Sequence, residues 1–303
     1  MTFRDSIKIF LLAKRGAMLS ERTTDFYRRW AVDFAKYAVQ HDVLDCNGVT
    51  MELIQSYLAD LKKERGLREI TVNDSFRAIR AWFKYLHKRK YIESDVVTGI
   101  QAPKIAKKIP RTFTTEEVKA IFGCIDRNTF LGVRDYLIVS MLLGTGMRKQ
   151  ELCRLTISDV NTLTGFVKVL GKGNKERFIP LSSKLIKQIG EYMDLRKKQS
   201  FLQYSKAFFV NRQGAPIGLW TMASLFKRLK DKSGVTGERV SCHTWRHTFA
   251  KAYLRNGGDV FSLQKILGHS DLATTKLYLS LDNDEVKEQY NRYNPFDNIE
   301  WML

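Results

Sequence analysis

Residues 165–181, GFVKVLGKGNKERFIPL, comprise two short strand-like runs on either side of a glycine-rich stretch. Glycine and asparagine between two such runs favour a turn, so the stretch predicts a β-hairpin with its tip at Gly171–Lys175. A second short strand and turn are predicted for residues 207–218, AFFVNRQGAPIG. The rest of the chain has helical patterns, and the predicted fold class is therefore mainly α-helical with a small β-sheet.

Helices are predicted on both sides of the hairpin. The run TTEE, residues 114–117, is a capping-box pattern at a helix start. The apolar run DYLIVSMLLGTG, residues 135–146, indicates a buried helix that ends at its glycines, and another helix begins at Met147–Arg148. Residues 243–258 and 259–269 are also helical, so the part of the chain around the hairpin is a mixed α+β domain.

The first hundred residues indicate an all-helical domain, because their apolar residues recur every three or four positions. The helix predicted within residues 70–90 has a core-facing stripe: Val72, Phe76, Ile79, Phe83 and Leu86. A second stripe of the same helix is basic: Arg77, Arg80, Lys84 and Lys88. A solvated face and a phosphate-binding face are both compatible with this stripe, since its four charges have one sign.

A stretch without clear periodicity, GIQAPKIAKKIPRTF, follows at residues 99–113 and holds two of the five prolines. We therefore predict a helical domain over 1–98, a linker over 99–113, a second domain over 114–284 and a C-terminal tail over 285–303. A chain of 303 residues is long enough for two domains.

The charge is strongly basic and unevenly distributed. The formal net charge is +19, with +8 in residues 1–110, +15 in residues 111–280 and −4 in residues 281–303. A basic body indicates a polyanionic partner, most commonly nucleic acid. No apolar run approaches the roughly 20 residues that span a bilayer, and the charged N-terminus is not typical of a signal peptide. Four widely spaced cysteines favour reduced core thiols in a cytoplasmic protein without disulfides or zinc.

Several residues have patterns that suit phosphate chemistry. Arg148 follows a Gly-Thr-Gly break at a helix start, where main-chain N–H groups and a guanidinium favour an anion, and Glu151 would hold that guanidinium. His243 and Arg246 are three residues apart and share a helix face. A zinc site is a poor alternative, because no glutamate follows His243 as a metalloprotease requires, and no third ligand is evident beside His247.

Lys172 and Tyr278 are two further candidates, and each also has an interpretation that involves no catalysis. Lys172 lies at the hairpin tip, from which it would either donate a proton to a leaving oxygen or contact backbone phosphate. No Walker pattern accompanies it, and we expect no nucleoside triphosphate. Tyr278, between Leu277 and Leu279, would by itself be a packed core residue. A phenol with a pKa near ~10 attacks phosphorus only where cations or a base assist it.

Taken in order, these patterns resemble the four sequence boxes of the tyrosine recombinases, also called phage integrases, and in length and plan the bacterial Xer type. The similar stretches are GTGMRKQEL, GKGNKERFIPL, HTWRHTFA and LGHSDLATTKLYL. The resemblance is specific over residues 111–280 and only architectural over residues 1–110. Gln150, Trp245 and Leu279 depart from the usual residues at their positions, but none of these changes removes a catalytic group.

The resemblance implies a role for each catalytic candidate. Arg148 and Arg246 would clamp the scissile phosphate, with Glu151 supporting. Lys172 would protonate the 5′-oxygen, although the nearby Lys175, a possible DNA contact, leaves the identity of the acid open. His243 would assist proton transfer at the tyrosine and His269 would bond a non-bridging oxygen. Tyr278 would attack phosphorus and form a 3′-phosphotyrosyl link, with no metal or cofactor.

The resemblance also implies a C-shaped clamp on double-stranded DNA, with the SAM-like N-terminal domain binding through Arg77, Arg80, Lys84 and Lys88. Assembly would be a homotetramer on two duplexes, and we expect the acidic tail to dock on a neighbouring protomer or on its own domain. The early start of the helical pattern favours the absence of an added arm-binding domain. Integration or excision, dimer resolution, a second recombinase and an accessory protein all stay open. A type IB topoisomerase, a non-catalytic DNA-binding regulator and an interaction protein are the rival functions.

Overall fold

The computed structural model describes residues 1–102, 110–171, 175–199, 205–236 and 240–268. The chain divides into two compact units, Met1–Lys108 and Ile109–Leu303, and the division falls inside the predicted linker. Ile100 is buried in the core of the first unit and Phe113 in the core of the second. Both ends of that stretch therefore belong to packed units, while the predicted domain bounds themselves stay predictions.

In its described residues, the N-terminal unit contains four helices: α1 (Phe3–Gly16), α2 (Glu21–Gln40), α3 (Met51–Lys63) and α4 (Glu69–Lys88). Thr2, Ser20 and Thr50 cap the first three, and each side-chain oxygen accepts a hydrogen bond from a main-chain N–H of the first turn. The predicted all-helical character of this region is confirmed.

Aromatic rings form the centre of the N-terminal core. The ring of Phe34 lies 5.2 Å from that of Tyr57, 6.4 Å from that of Trp82 and 5.8 Å from that of Phe83, all near edge-to-face. Such pairs add to the large apolar area that each ring buries. All five residues of the predicted core stripe of α4 are buried, so that helix is oriented as its periodicity indicates.

The C-terminal unit combines helices with one small sheet in its described residues. Its helices are α5 (Thr115–Gly123), α6 (Phe130–Thr145), α7 (Lys149–Arg154), α8 (Ser183–Lys197), α9 (Leu219–Ser233), α10 (Cys242–Arg255) and α11 (Val260–Leu267). Its strands are β1 (Val160–Asn161), β2 (Phe166–Leu170) and β3 (Glu176–Pro180). Among the residues described, we find no helix that is long and apolar enough to cross a membrane. The predicted fold class, mainly α-helical with a small β-sheet, is confirmed.

The predicted hairpin is present. β2 pairs with β3 in antiparallel register, with Val167 opposite Ile179 and Leu170 opposite Glu176, and β1 lies on the other side of β2. Gly171 N–H donates to the Lys175 carbonyl at 2.8 Å at the base of the tip. Lys172, at the tip, lies outside the described residues.

The short strand predicted within residues 207–218 does not form part of the sheet. Ala207 and Val210 each make only an isolated bridge, to Thr156 and Pro216 respectively. The side-chain oxygen of Asn211 accepts hydrogen bonds from the N–H groups of Gln213 and Ala215. This turn brings Val210 opposite Pro216, with Asn211 N–H donating to the Ala215 carbonyl at 2.8 Å and Ile217 N–H to the Phe209 carbonyl at 3.2 Å. Because α9 begins at Leu219, the chain leaves this pairing after Ile217 and no ladder forms.

Helix α6 runs through the C-terminal core and is buried around most of its circumference, as its apolar run indicates. It ends at Gly146, whose φ of 61° lies in the left-handed region. A Cβ there would lie 2.4 Å from Cδ1 of Phe249 and 2.8 Å from Cδ2 of Leu267. Because glycine alone tolerates both the conformation and the close contact, the chain turns sharply and brings Arg148 beside α10 and α11.

Candidate active site

Three arginines donate to three successive carbonyl oxygens at the end of α11. Arg177 Nε bonds the Ile266 oxygen at 2.8 Å and Arg246 Nη2 the Leu267 oxygen at 2.7 Å. Arg148 Nη2 bonds the Gly268 oxygen at 3.2 Å. The C-terminal carbonyls of a helix lack partners within it and carry partial negative charge, so cations are favoured there. The arginines come from α10, from β3 and from the turn before α7, and they meet only through the tertiary fold.

Arg148 is the N-cap residue of α7 and is bound to Glu151 in two ways. Its main-chain N–H donates to Oε2 of Glu151 at 2.7 Å, and its Nη1 donates to Oε1 at 2.9 Å. The contact expected from the sequence between these residues is thus present. Glu151 is 4% exposed, whereas the Arg148 side chain is 35% exposed, so the carboxylate lies beneath a guanidinium that solvent reaches.

Arg177 is the second partner of Glu151 and was not among the residues chosen from sequence. Its Nη1 and Nη2 donate to Oε1 and Oε2 of Glu151 at 2.7 and 2.8 Å, a parallel bidentate pair. One signal for it was available: alternation along β3 places Arg177 on the same side as the buried Ile179. An arginine on the core-facing side of a strand indicates a buried acidic partner.

The arginines keep Glu151 ionised. Burial alone would raise the pKa of this carboxyl group, but hydrogen bonds from Arg177 and from the main chain of Arg148, with the positive charge of Arg177, lower it to about 2. Glu151 is therefore an anion at neutral pH. One negative charge is shared between two positive ones.

Arg246 is 5% exposed and links two parts of the site. In addition to the Leu267 carbonyl, it bonds the carbonyl oxygen of Gly146 through Nη1 at 2.6 Å. Since Gly146 ends α6 and Leu267 ends α11, one guanidinium bonds the ends of two helices. Its side chain is thereby oriented by the backbone around it.

The two histidines of α10 are biased toward the neutral form. Partial burial and the cations Arg246, Arg148 and Lys149 lower the pKa of His243. Partial burial, His243 and Arg246 lower the pKa of His247. A neutral imidazole next to guanidinium groups is a proton acceptor near a site that favours anions, which suits general-base assistance.

Two of the proposed catalytic side chains lie outside the described residues in addition to Lys172. His269 follows Gly268 directly along the chain, and Tyr278 is nine positions further. Their roles remain predictions. Gly268 has a φ of 63°, and a Cβ on it would lie 3.0 Å from Cδ of Arg177. The residue before His269 is therefore packed directly on the cluster.

The basic stripe of α4 is exposed at all four of its positions: Arg77, Arg80, Lys84 and Lys88. One acidic neighbour accompanies it, since Asp74 pairs with Arg77 at 3.2 Å. Both side chains of that pair are largely in solvent, where such pairs contribute little. Lys175 of the hairpin is exposed as well.

The cysteines and metal-binding residue types form no additional site in the described ranges. All four cysteines are free, with Cys46 and Cys242 buried and Cys124 and Cys153 partly buried. The expectation of four core thiols is therefore correct for two and too strong for the other two. No cluster of three or more potential metal ligands occurs among the residues described.

Comparison with known proteins gives a consistent result over most of the chain. Residues 111–285 match the phage integrase family, and residues 7–93 match the N-terminal SAM-like domain of phage integrases. The tyrosine recombinase XerD of Staphylococcus aureus is 31% identical over 287 residues, which cover 94% of this chain and 96% of that protein.

Two solved structures share the fold at lower identity. The XerH site-specific recombinase bound to palindromic difH substrate has a TM-score of 0.75 at 20% identity, covering 90% of this chain and 80% of that one. The Tn1549 transposon integrase in complex with transposon right end DNA also has a TM-score of 0.75 at 20% identity, covering 97% and 100%.

Proposed function

This chain belongs to the phage integrase family and is a tyrosine recombinase, an enzyme that cleaves and rejoins DNA at specific sites; from this premise we propose that Tyr278 is its nucleophile. The phenol oxygen attacks the scissile phosphorus, a bond forms between them, and the bond from phosphorus to the 5′-oxygen breaks. Rejoining is the reverse attack by the 5′-hydroxyl of a new strand. The phosphodiester energy is retained in the 3′-phosphotyrosyl link, so the chemistry needs no nucleotide.

The remaining candidates take complementary roles in this proposal. Arg148 and Arg246 bind the non-bridging oxygens as charge grows on them, together with His269. His243 accepts the phenol proton, and Lys172 gives a proton to the departing 5′-oxygen, with Lys175 as the alternative donor. Glu151 holds Arg148.

The observation that carries the proposal is the pairing of Arg148 and Arg246 at one helix end. Their Nη2 groups donate to the neighbouring carbonyls of Gly268 and Leu267. Two guanidinium groups that reach neighbouring carbonyls lie close together, and a phosphate is a stronger acceptor for them than a carbonyl because it is charged. The two guanidinium groups and Lys149 outnumber the carboxylate of Glu151, which favours an anion.

Covalent capture tests the proposed function. The protein is mixed with a pool of nicked duplexes of varied sequence, including DNA that flanks its own gene, and EDTA is present. After denaturation, DNA that stays attached to protein is sequenced. We expect adducts joined through Tyr278 and enriched in one sequence, which identifies the site. Bound DNA without any adduct, even at high protein concentration, would contradict the assignment and favour a DNA-binding regulator.

A second question is whether the enzyme joins strands from two duplexes or only relaxes supercoiled DNA. Joining of strands from two differently labelled duplexes distinguishes a recombinase from relaxation of supercoiled DNA alone. We place the reaction in the cytoplasm, on double-stranded DNA. A second recombinase or an accessory protein is required if the purified chain forms adducts but no joined product.

We also propose that the exposed stripe of α4 contacts DNA phosphates. Replacing Arg77 and Arg80 by glutamate is expected to weaken binding to the captured duplex and to reduce the slope of log K against log salt by about 0.9 for each lost contact. The matched control is Lys62→Glu with Lys63→Glu on α3, which makes the same charge change on exposed residues of the same unit. Equal losses for both pairs would show a general charge effect and contradict a specific contact.

Assembly as a tetramer on two duplexes forms the last part of the proposal, with the acidic and apolar tail docked on a neighbouring protomer. Deleting residues 294–303 is expected to leave binding of the first protomer unchanged and to reduce cooperative binding of the next by roughly tenfold, because a tethered contact raises the local concentration of its partner. A gel-shift titration measures both steps. Unchanged cooperativity would favour docking of the tail on its own domain.

A further inference from the structure

Arg177 connects the supporting carboxylate to the helix end that precedes His269. Two of its nitrogen atoms donate to Glu151 and the third donates to the carbonyl of Ile266. Its side chain is 12% exposed. The bonds of Arg177 are thus directed at the supporting carboxylate and at the end of α11.

We propose that Arg177 is a positioning residue for strand cleavage: it keeps Arg148 available to the phosphate and holds the C-terminus of α11 in place. This inference rests on the proposed function. Without Arg177, Glu151 and Arg148 form a pair with no net charge. With it, the three groups carry one net positive charge, and Arg148 keeps a stronger attraction for an anion.

The geometry requires a planar group with several donors. The guanidinium bonds both oxygens of Glu151 on one edge and the Ile266 carbonyl through Nε, while it packs against Gly268. A lysine ammonium carries the same charge but cannot make these three bonds in one plane. Lysine should therefore restore the charge effect and leave the α11 end less constrained.

The test is single-turnover adduct formation on a captured nicked duplex with Arg177→Gln and Arg177→Lys. We expect the cleavage rate to fall about 100-fold for glutamine and less for lysine, since small displacements of reacting groups have effects of this size. The dissociation constant for DNA should change less than threefold. Thermal denaturation of each variant shows whether it is folded.

A matched control is available in the same unit. Asp135 is buried and is shared by Arg134 and Arg228, as Glu151 is shared by Arg148 and Arg177. Arg134 is the counterpart of Arg177, because its largely buried guanidinium also bonds a carboxylate and one main-chain carbonyl, that of Val210. Arg134→Gln therefore makes the same change outside the Glu151 cluster. If this control slows cleavage as much as Arg177→Gln does, the effect is one of stability and the proposal is overturned.

The pH profile gives a readout that a purely structural role would not change. Loss of Arg177 removes the main group that lowers the pKa of Glu151, and burial then raises it. As pH falls, Glu151 of the variant is protonated more readily than Glu151 of wild type, and Glu151 and Arg148 together then regain the net positive charge that Arg177 otherwise supplies. Cleavage relative to wild type should therefore recover in part toward acid pH. His243 and His247 titrate in both proteins, and the ratio of the two rates cancels their effect.

The double variant Arg177→Gln with Glu151→Gln identifies the titrating group. We expect the cleavage rate of the double variant relative to wild type to stay constant as the pH falls, because no carboxyl group remains at position 151. A glutamine variant that cleaves at the wild-type rate, or an acid recovery that persists in the double variant, would overturn the proposal. Failure of wild type itself to form adducts would instead contradict the proposed function.

Discussion

Tyr278→Phe is expected to eliminate the covalent protein–DNA adduct while leaving DNA binding within about twofold of wild type. The change removes one oxygen atom and keeps the aromatic ring, so the nucleophile is lost with little change in side-chain size. Loss of a nucleophile lowers a catalysed rate by at least about 10³-fold, because the remaining groups have nothing to activate. We expect the variant to bind the duplex under native conditions and to show no protein–DNA band after denaturation.

The measurement is the same capture experiment, with the phenylalanine variant run beside wild type. Tyr253→Phe is a suitable control, since it makes the same change on α10. Wild-type adduct levels in this control, together with none in Tyr278→Phe, would assign the link to position 278. Adducts that persist in Tyr278→Phe would show that another residue attacks phosphorus.

Arg246→Lys is expected to reduce adduct formation by about 10²- to 10³-fold, the range seen when one donor to a developing oxyanion is removed. The guanidinium bonds the Gly146 and Leu267 carbonyls at the same time, at 2.6 and 2.7 Å. A lysine ammonium is a point charge without the fork that spans two oxygens, so it cannot hold both helix ends and present a donor to phosphate. Charge is retained, and DNA affinity should change much less than the cleavage rate.

Arg196→Lys is the matched control for this substitution. Arg196 is likewise a buried arginine of the same unit, and its Nη2 donates to the carbonyls of Ser205 and Ala207 at 2.7 and 3.1 Å. Both changes weaken bonds from a buried guanidinium to main-chain oxygens. If the two variants lose stability equally and only Arg246→Lys loses cleavage, the role of Arg246 is chemical. Equal losses of cleavage would contradict that role.

Much of the architecture is local and was accessible from sequence. The stripe from Val72 to Leu86 predicts both the helix and its buried face, because a helix returns to the same side every three to four residues. The glycines around Lys172 predict the hairpin because few residues other than glycine accept the backbone of a tight turn. The strand predicted near Val210 is reduced to isolated bridges because α9 begins at Leu219, a few residues beyond the turn, and apolar patterning does not report where the pairing partner ends.

The candidate site, too, was predictable from sequence only in part. The sequence by itself determined which residue types stand in each box, including Arg148, Glu151 and Arg246, and that one helical turn separates Arg148 from Glu151. Only the tertiary structure decided that Arg177 completes this pair and that three arginines meet at the end of α11. The Arg177–Glu151 contact joins positions 26 residues apart, and the contacts of the three arginines with the end of α11 join positions 21, 89 and 120 residues apart. Periodicity reports which face of an element is apolar, whereas the meeting of distant elements depends on how their faces pack together, and that is a property of the whole folded unit.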